Sequence, residues 1–172
     1  MINDYEATEP IVPVPSEQKA NDEVISTLNG LIETCRDGQY GFQSAAEGVE
    51  RSDLKTIFLE YSQQRAQFVG ALQGLVRSLG GDPENAGSMS GAVHRGWMDI
   101  KAAVTGKDES AILNECERGE DSAKEAYSDA LKTNLPANIA EVLIQQSQAV
   151  NNAHDRIKSL RNAERARSAS QN

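Results

Sequence analysis

At 172 residues the chain suits one domain, long enough to bury a core without disulfide staples, and 38% apolar with only 5% aromatic residues favours helices over a sheet. A formal charge of −9 speaks against nucleic acid as the partner, because phosphate binding needs a basic face, and no stretch approaches the roughly 20 apolar residues of a membrane span. Met1–Ala20 carries Asp4, Glu6 and Glu9 where a secretory leader would be cationic, so a cytoplasmic protein with Cys35 and Cys116 as thiols is expected.

Residues 1–20, with Pro10, Pro13 and Pro15 and no helical period, read as an extended or disordered acidic arm. From about residue 21 to 50, Ile25, Leu28, Ile32, Cys35, Phe42, Ala46 and Val49 recur at helical spacing and predict the first helix. Ser52 and Asp53 supply an N-cap and an acidic first turn for a second helix over about 53–79. Its stripe is Leu54, Ile57, Phe58, Tyr61, Arg65, Phe68, Leu72, Leu75, Val76 and Leu79, closed by Gly80 and Gly81. The short connection makes these two helices antiparallel neighbours.

A long connection follows, with a short helix over about 90–105 whose apolar face is Val93, Trp97, Ile100 and Val104. Asp108 caps a third long helix over about 108–133, with Ile112, Cys116, Gly119 or Glu120, Ala123, Tyr127, Ala130 and Leu131 facing inward. Pro136 suits the first turn of the last helix, about 136–163, whose stripe is Ile139, Leu143, Gln146, Val150, Ile157 and Leu160. Residues 163–172 read as a frayed polar tail after a bundle spanning 21–162.

Two antiparallel hairpins joined by a long crossover carrying a short helix predict an all-α, ferritin-like four-helix bundle. The runs RDGQYGFQSAAEGVE, QQRAQFVGALQ, HRGWMDIKAAVTG, ECERGEDSAKEAYSDAL and HDRIKSLRN also resemble a bacterial family of four-helix-bundle proteins of unknown function within the ferritin-like superfamily, over about residues 22–162. The resemblance implies that fold and no established activity.

Ferritin-like di-iron sites take a Glu-x-x-His pair from each of two helices and a glutamate from each of the others, yet no Glu-x-x-His occurs in this chain. At the corresponding levels stand Arg65-x-x-Phe68 and Asn151-x-x-His154. A guanidinium and a phenyl ring cannot bind iron, so a degenerate di-iron site is expected, with no metal or other cofactor. Arg65 on an apolar stripe needs an anion if it points inward. Glu120 is the first candidate, with Asp37 or Glu33 behind it; the alternative is that Arg65 lays its methylenes on Phe68 and Leu72 and reaches water.

These residues, with His154, form the expected polar core layer. His154 reads as a satisfied structural histidine, or as a ligand in a reduced iron, manganese or zinc set of Glu120, His154, Glu117 and Asp37. Cys35 and Cys116 read as buried packing thiols or as a redox pair, and His94 as exposed. Part of the Glu115, Glu117, Glu120 and Asp121 cluster reads as a solvated helix face. Phosphate-loop and nucleophile-turn motifs are missing: Gly106-Lys107-Asp108 lacks the hydroxyl residue of a phosphate loop.

The functional expectation is a protein, more a non-enzyme than an enzyme, that acts by self-association or by binding a protein partner, with no nucleic acid and no membrane. Trp97 and Met98 offer a contact surface unless Trp97 only roofs the bundle. The alternative is a metal-binding or oxidase-type bundle with the reduced ligand set.

Overall fold

The computed structural model describes residues 11, 14–83 and 97–172, and those residues form five helices and no strand. The first, α1 (Pro15–Gly48), begins with a proline in its first turn, where a fixed φ and a missing N–H cost nothing. Residues 15–20, assigned above to the extended arm, are therefore helical; the rest of that arm, apart from Ile11 and Val14, lies outside the described residues. The second, α2 (Ser52–Ser78), has Arg51 rather than Ser52 at its N-cap. It closes as expected at the glycine pair: Gly80 takes φ 80°, which only glycine adopts freely, and the Gly81 N–H donates to the Val76 carbonyl at 3.0 Å.

The crossover helix α3 (Ile100–Thr105) is short, and Val93 and His94 lie outside the described residues. In α4 (Glu109–Leu131) the Asp108 carboxylate accepts from the N–H groups of Ser110 and Ala111, at 3.0 and 3.3 Å, as its capping role requires. The last helix, α5 (Ala137–Ser170), starts one residue after Pro136, which sits in extended conformation as N-cap. Its end corrects the expected frayed tail. Glu164 accepts from Arg51 at 3.2 Å and from Arg167 at 3.4 Å, and Arg165 reaches Asn114 at 3.2 Å, so the stretch after 163 is tied to the starts of α2 and α4.

Residue pairings give the helix directions. Phe42 meets Phe58 while Gly81 lies against Ile25, so α1 and α2 run antiparallel. Tyr127 meets Gln146 and Asn114 meets Arg165, so α4 and α5 do too. Arg65 of α2 faces Glu120 of α4, and the Arg51 N–H just before α2 donates to Glu109 at the start of α4. Hence α2 and α4 are parallel, and the connection between them must return along the length of the bundle.

The returning segment is seated on α1 and α4 by Trp97. A Cβ built on Gly41 or on Gly119 would lie 2.2 Å from the indole ring, so these two glycines form the slot that holds it. Trp97 is buried and roofs the bundle, while Met98 beside it is exposed.

The apolar interior is in two parts. One cluster contains Leu28, Ile32, Cys35, Leu72, Val76, Tyr127, Leu143 and Val150. The other contains Phe42, Leu54, Phe58, Trp97, Ile112, Cys116 and Ile157. Between them, at mid-height on every long helix, the chain changes character: Gly38, Ser62 and Arg65, Glu117 and Glu120, and His154 are all buried there.

Candidate functional site

Arg65 is the largest fully buried side chain. It is 1% exposed, so it does not reach water. Its stem crosses α1 at Gly38, where an added Cβ would lie 3.3 Å from Arg65 Cγ; a residue larger than glycine would crowd the arginine. The guanidinium carbon stands 5.8 Å from the ring centres of both Phe42 and Phe68, within cation–π range. Nη1 and Nη2 donate to Glu120 Oε1 and Oε2 at 3.3 and 2.8 Å, a two-pronged pair to a carboxylate that is itself 1% exposed.

Burial pushes the Glu120 carboxyl up to about 7, with Arg65 and then His154 pulling the other way. Arginine holds its proton throughout, so the pair keeps a fixed cation at the centre of the bundle. The centre is therefore ionic.

A second polar chain begins one turn away. Tyr127 Oη donates to Gln146 Oε1 at 2.8 Å and stands 3.2 Å from Cys35 Sγ, which leaves the thiol hydrogen to point at the phenol oxygen. Burial raises Cys35 to about 11, a neutral thiol at physiological pH, and raises Cys116 well above its ordinary value. Both cysteines are free, and they fall in the two separate apolar clusters. Such thiols pack; they do not attack.

The residues of the reduced metal set do not converge as one group. Glu120 is engaged by Arg65, and Asp37 lies half-buried on α1. His154 and Glu117 instead gather with Asp121: among the described residues, the one group of three or more possible ligands is Glu117, Asp121 and His154, with one donor atom from each within 4.8 Å of the others. His154 Nε2 lies 2.8 Å from Asp121 Oδ1 and 4.0 Å from Glu117 Oε1.

The acidic run on α4 is solvated in part, as expected, though only at one residue. Of Glu115, Glu117, Glu120 and Asp121, only Asp121 is exposed. Glu115 accepts from the Asp99 N–H at 3.3 Å and from Arg118 at 3.1 Å, and burial raises its carboxyl. Glu117 is held by Arg161 of α5. The crossover covers the face of α4 that periodicity left to water. A residue such as Asp99, arriving from a long connection, leaves no helical period to find; Gln146 on an apolar stripe was the readable sign of the tyrosine chain.

A family model described as a domain of unknown function (DUF2383) matches residues 23–133, from the early turns of α1 to just past α4. The chain belongs to this family. No curated protein matches it. The DUF2383 region contains Arg65, Glu117, Glu120 and Asp121, whereas Gln146, His154 and Arg161 come from α5, beyond it. The DUF2383 chain thus closes its mid-height layer with a helix outside the matched span. Among the described residues, no helix is long and apolar enough to cross a membrane.

Proposed function

We propose that this protein is a ferritin-like bundle in which a buried ion pair takes the place of the dinuclear metal centre, and that it acts in the cytoplasm by association, with itself or with a protein partner, rather than by catalysis. The observation that carries the reading is the Arg65 guanidinium, seated between Phe42 and Phe68 and bonded through both terminal nitrogens to Glu120. A cation fixed there repels a metal ion and occupies the carboxylate that would bind one. The parallel course of α2 and α4, which needs a full-length return between them, supports the ferritin-like assignment.

A buried ion pair contributes little net stability, because desolvation offsets the Coulomb attraction. Its contribution in this reading is register: across the core, only one relative height of the diagonal helices α2 and α4 pairs the two charges. A slide of one turn would leave an unpaired charge in the interior. A bundle held in one register presents a fixed outer surface, on which Tyr40, Leu59, Met98 and Ile144 are among the exposed large apolar side chains of the described residues.

Size-exclusion chromatography with light scattering tests the association. The expected result is a mass above the 18.6 kDa of one chain that rises with concentration. A strict monomer at millimolar concentration would remove self-association, and failure of any cellular protein to cross-link to Leu59 or Ile144 photo-probe variants would remove the partner form as well.

A further inference from the structure

The α4–α5 seam holds a group of side chains that the ionic centre does not use. Glu117 and Asp121 are four residues apart on α4 and so lie on one helix face, and His154 crosses from the antiparallel α5 to meet them. We infer that Glu117, Asp121 and His154 form a mononuclear site for a divalent first-row transition ion, offset from the bundle centre and open to solvent.

The donor spacing fits such an ion. Ligands bound at about 2.0–2.2 Å and at right angles lie about 3 Å apart, and His154 Nε2 to Asp121 Oδ1 is 2.8 Å. The 4.0 Å from Nε2 to Glu117 Oε1 is close to the spacing of opposed ligands. All three donors lie within 4.8 Å of one another, so side-chain adjustment at the exposed Asp121 would close the set around one ion. An imidazole nitrogen with two carboxylate oxygens is a borderline donor set, suited to zinc, manganese or iron(II).

Two groups outside the set hold the donors in a ligating posture. His154 Nδ1 lies 3.2 Å from Asp155 Oδ1, so with an ion on Nε2 the ring proton would sit on Nδ1 and donate to that carboxylate, the carboxylate–histidine arrangement that orients metal-binding imidazoles. Arg161 grips Glu117 at Oε2 and leaves Oε1 facing the histidine. His154 is 7% and Glu117 11% exposed at the side chain, while Asp121 is 60% exposed. The buried pair gives a dry floor and the aspartate a way in from solvent. With three protein donors, the remaining positions fall to water.

Titrating the full chain with Zn2+ by calorimetry, while following the imidazole resonances by NMR, tests the inference. The chain has two histidines, so the rings are readily assigned by one variant. One saturable equivalent is expected, with the His154 ring resonances moving at the same stoichiometry. Asp121→Asn, a change at an exposed side chain that leaves the fold intact, is expected to weaken binding by about tenfold or more, and His154→Ala to weaken it further. No saturable binding at millimolar Zn2+ overturns the site, as does binding that Asp121→Asn leaves unchanged or that moves the His94 ring and not that of His154. Should His154→Ala unfold, the asparagine variant and the ring shifts decide alone.

Discussion

Replacing Arg65 with methionine keeps an unbranched stem between Phe42 and Phe68 but removes the partner that bonds both oxygens of Glu120. At pH 8 the carboxyl is then left buried without its cation, and the lost hydrogen bonds together with one pH unit of linkage above the parent's folded value cost about 2–3 kcal/mol. The loss depends on pH in a direction set by Glu120. Its folded value, about 7, stands above the ordinary 4.5, so the stability it contributes is fully present below pH 4.5 and is lost as pH rises through 7.

Without Arg65 the folded value rises further, and the loss extends to higher pH. The gap between variant and parent is therefore widest above pH 7. At pH 5, where the carboxyl is protonated in both, it shrinks to about 1–2 kcal/mol, the worth of the missing hydrogen bonds. The double variant Arg65→Met/Glu120→Leu is expected within about 1 kcal/mol of the parent, or above it, because an apolar pair fills the space with no charge to desolvate. Urea unfolding at pH 5 and pH 8 measures all three proteins. A single-variant loss under about 1 kcal/mol that is the same at both pH values would refute a buried pair, since that is how an exposed one behaves.

Gly119→Ala drives a methyl group into Trp97, with an expected cost of about 1–3 kcal/mol, and because Trp97 is the sole tryptophan, its emission should shift to the red as the crossover lifts; unaltered emission would sink the slot. Gly70→Ala, where the added Cβ meets nothing within 4 Å, is the control and is expected to be neutral or to stabilise α2 by up to about 1 kcal/mol. A thiol reagent at pH 8 should find neither cysteine in the native protein and both after denaturation, whereas one rapidly reacting native thiol would contradict the burial of Cys35 and Cys116. Because Cys35 is raised from 9.0 to about 11, its contribution to stability is present below pH 9 and is lost as pH rises through 11; Cys35→Ser should flatten that alkaline decline, and an unchanged decline would place its cause elsewhere.

The four long helices were readable because their stripes persist over many turns. Leu28, Ile32 and Cys35 on α1 and Ile112, Cys116 and Tyr127 on α4 leave little freedom in which face turns inward. Arg65 and Glu120 were conspicuous for the opposite reason: each is a full charge on a stripe that is otherwise apolar. The helix ends were less legible. Pro15 begins a helix in place of breaking one, and α5 continues past 163, where Arg51 and Asn114, distant in sequence, hold Glu164 and Arg165.

The candidate site was half legible. His154 and Glu117 stand out in the sequence as possible ligands, but Asp121, which completes their group, shares the polar face of α4, and Glu120 is held by Arg65. Neighbours one position apart on α4 differ by 100° around the helix, so adjacent carboxylates enter different environments. Periodicity fixes the face of each residue and is silent on the angle at which α5 meets it. Gly41 and Gly119, isolated within helices, were the unread sign that a bulky ring approaches there.

A crystal structure of protein purified without chelator, with anomalous data collected at the iron, manganese and zinc edges, decides between a guanidinium and a metal at the bundle centre. The expected map has the Arg65 guanidinium between Phe42 and Phe68, bonded in plane to both oxygens of Glu120, with any anomalous peak confined to the His154 seam. A peak at mid-bundle bridged by Glu120, with Arg65 turned outward into solvent, would contradict it.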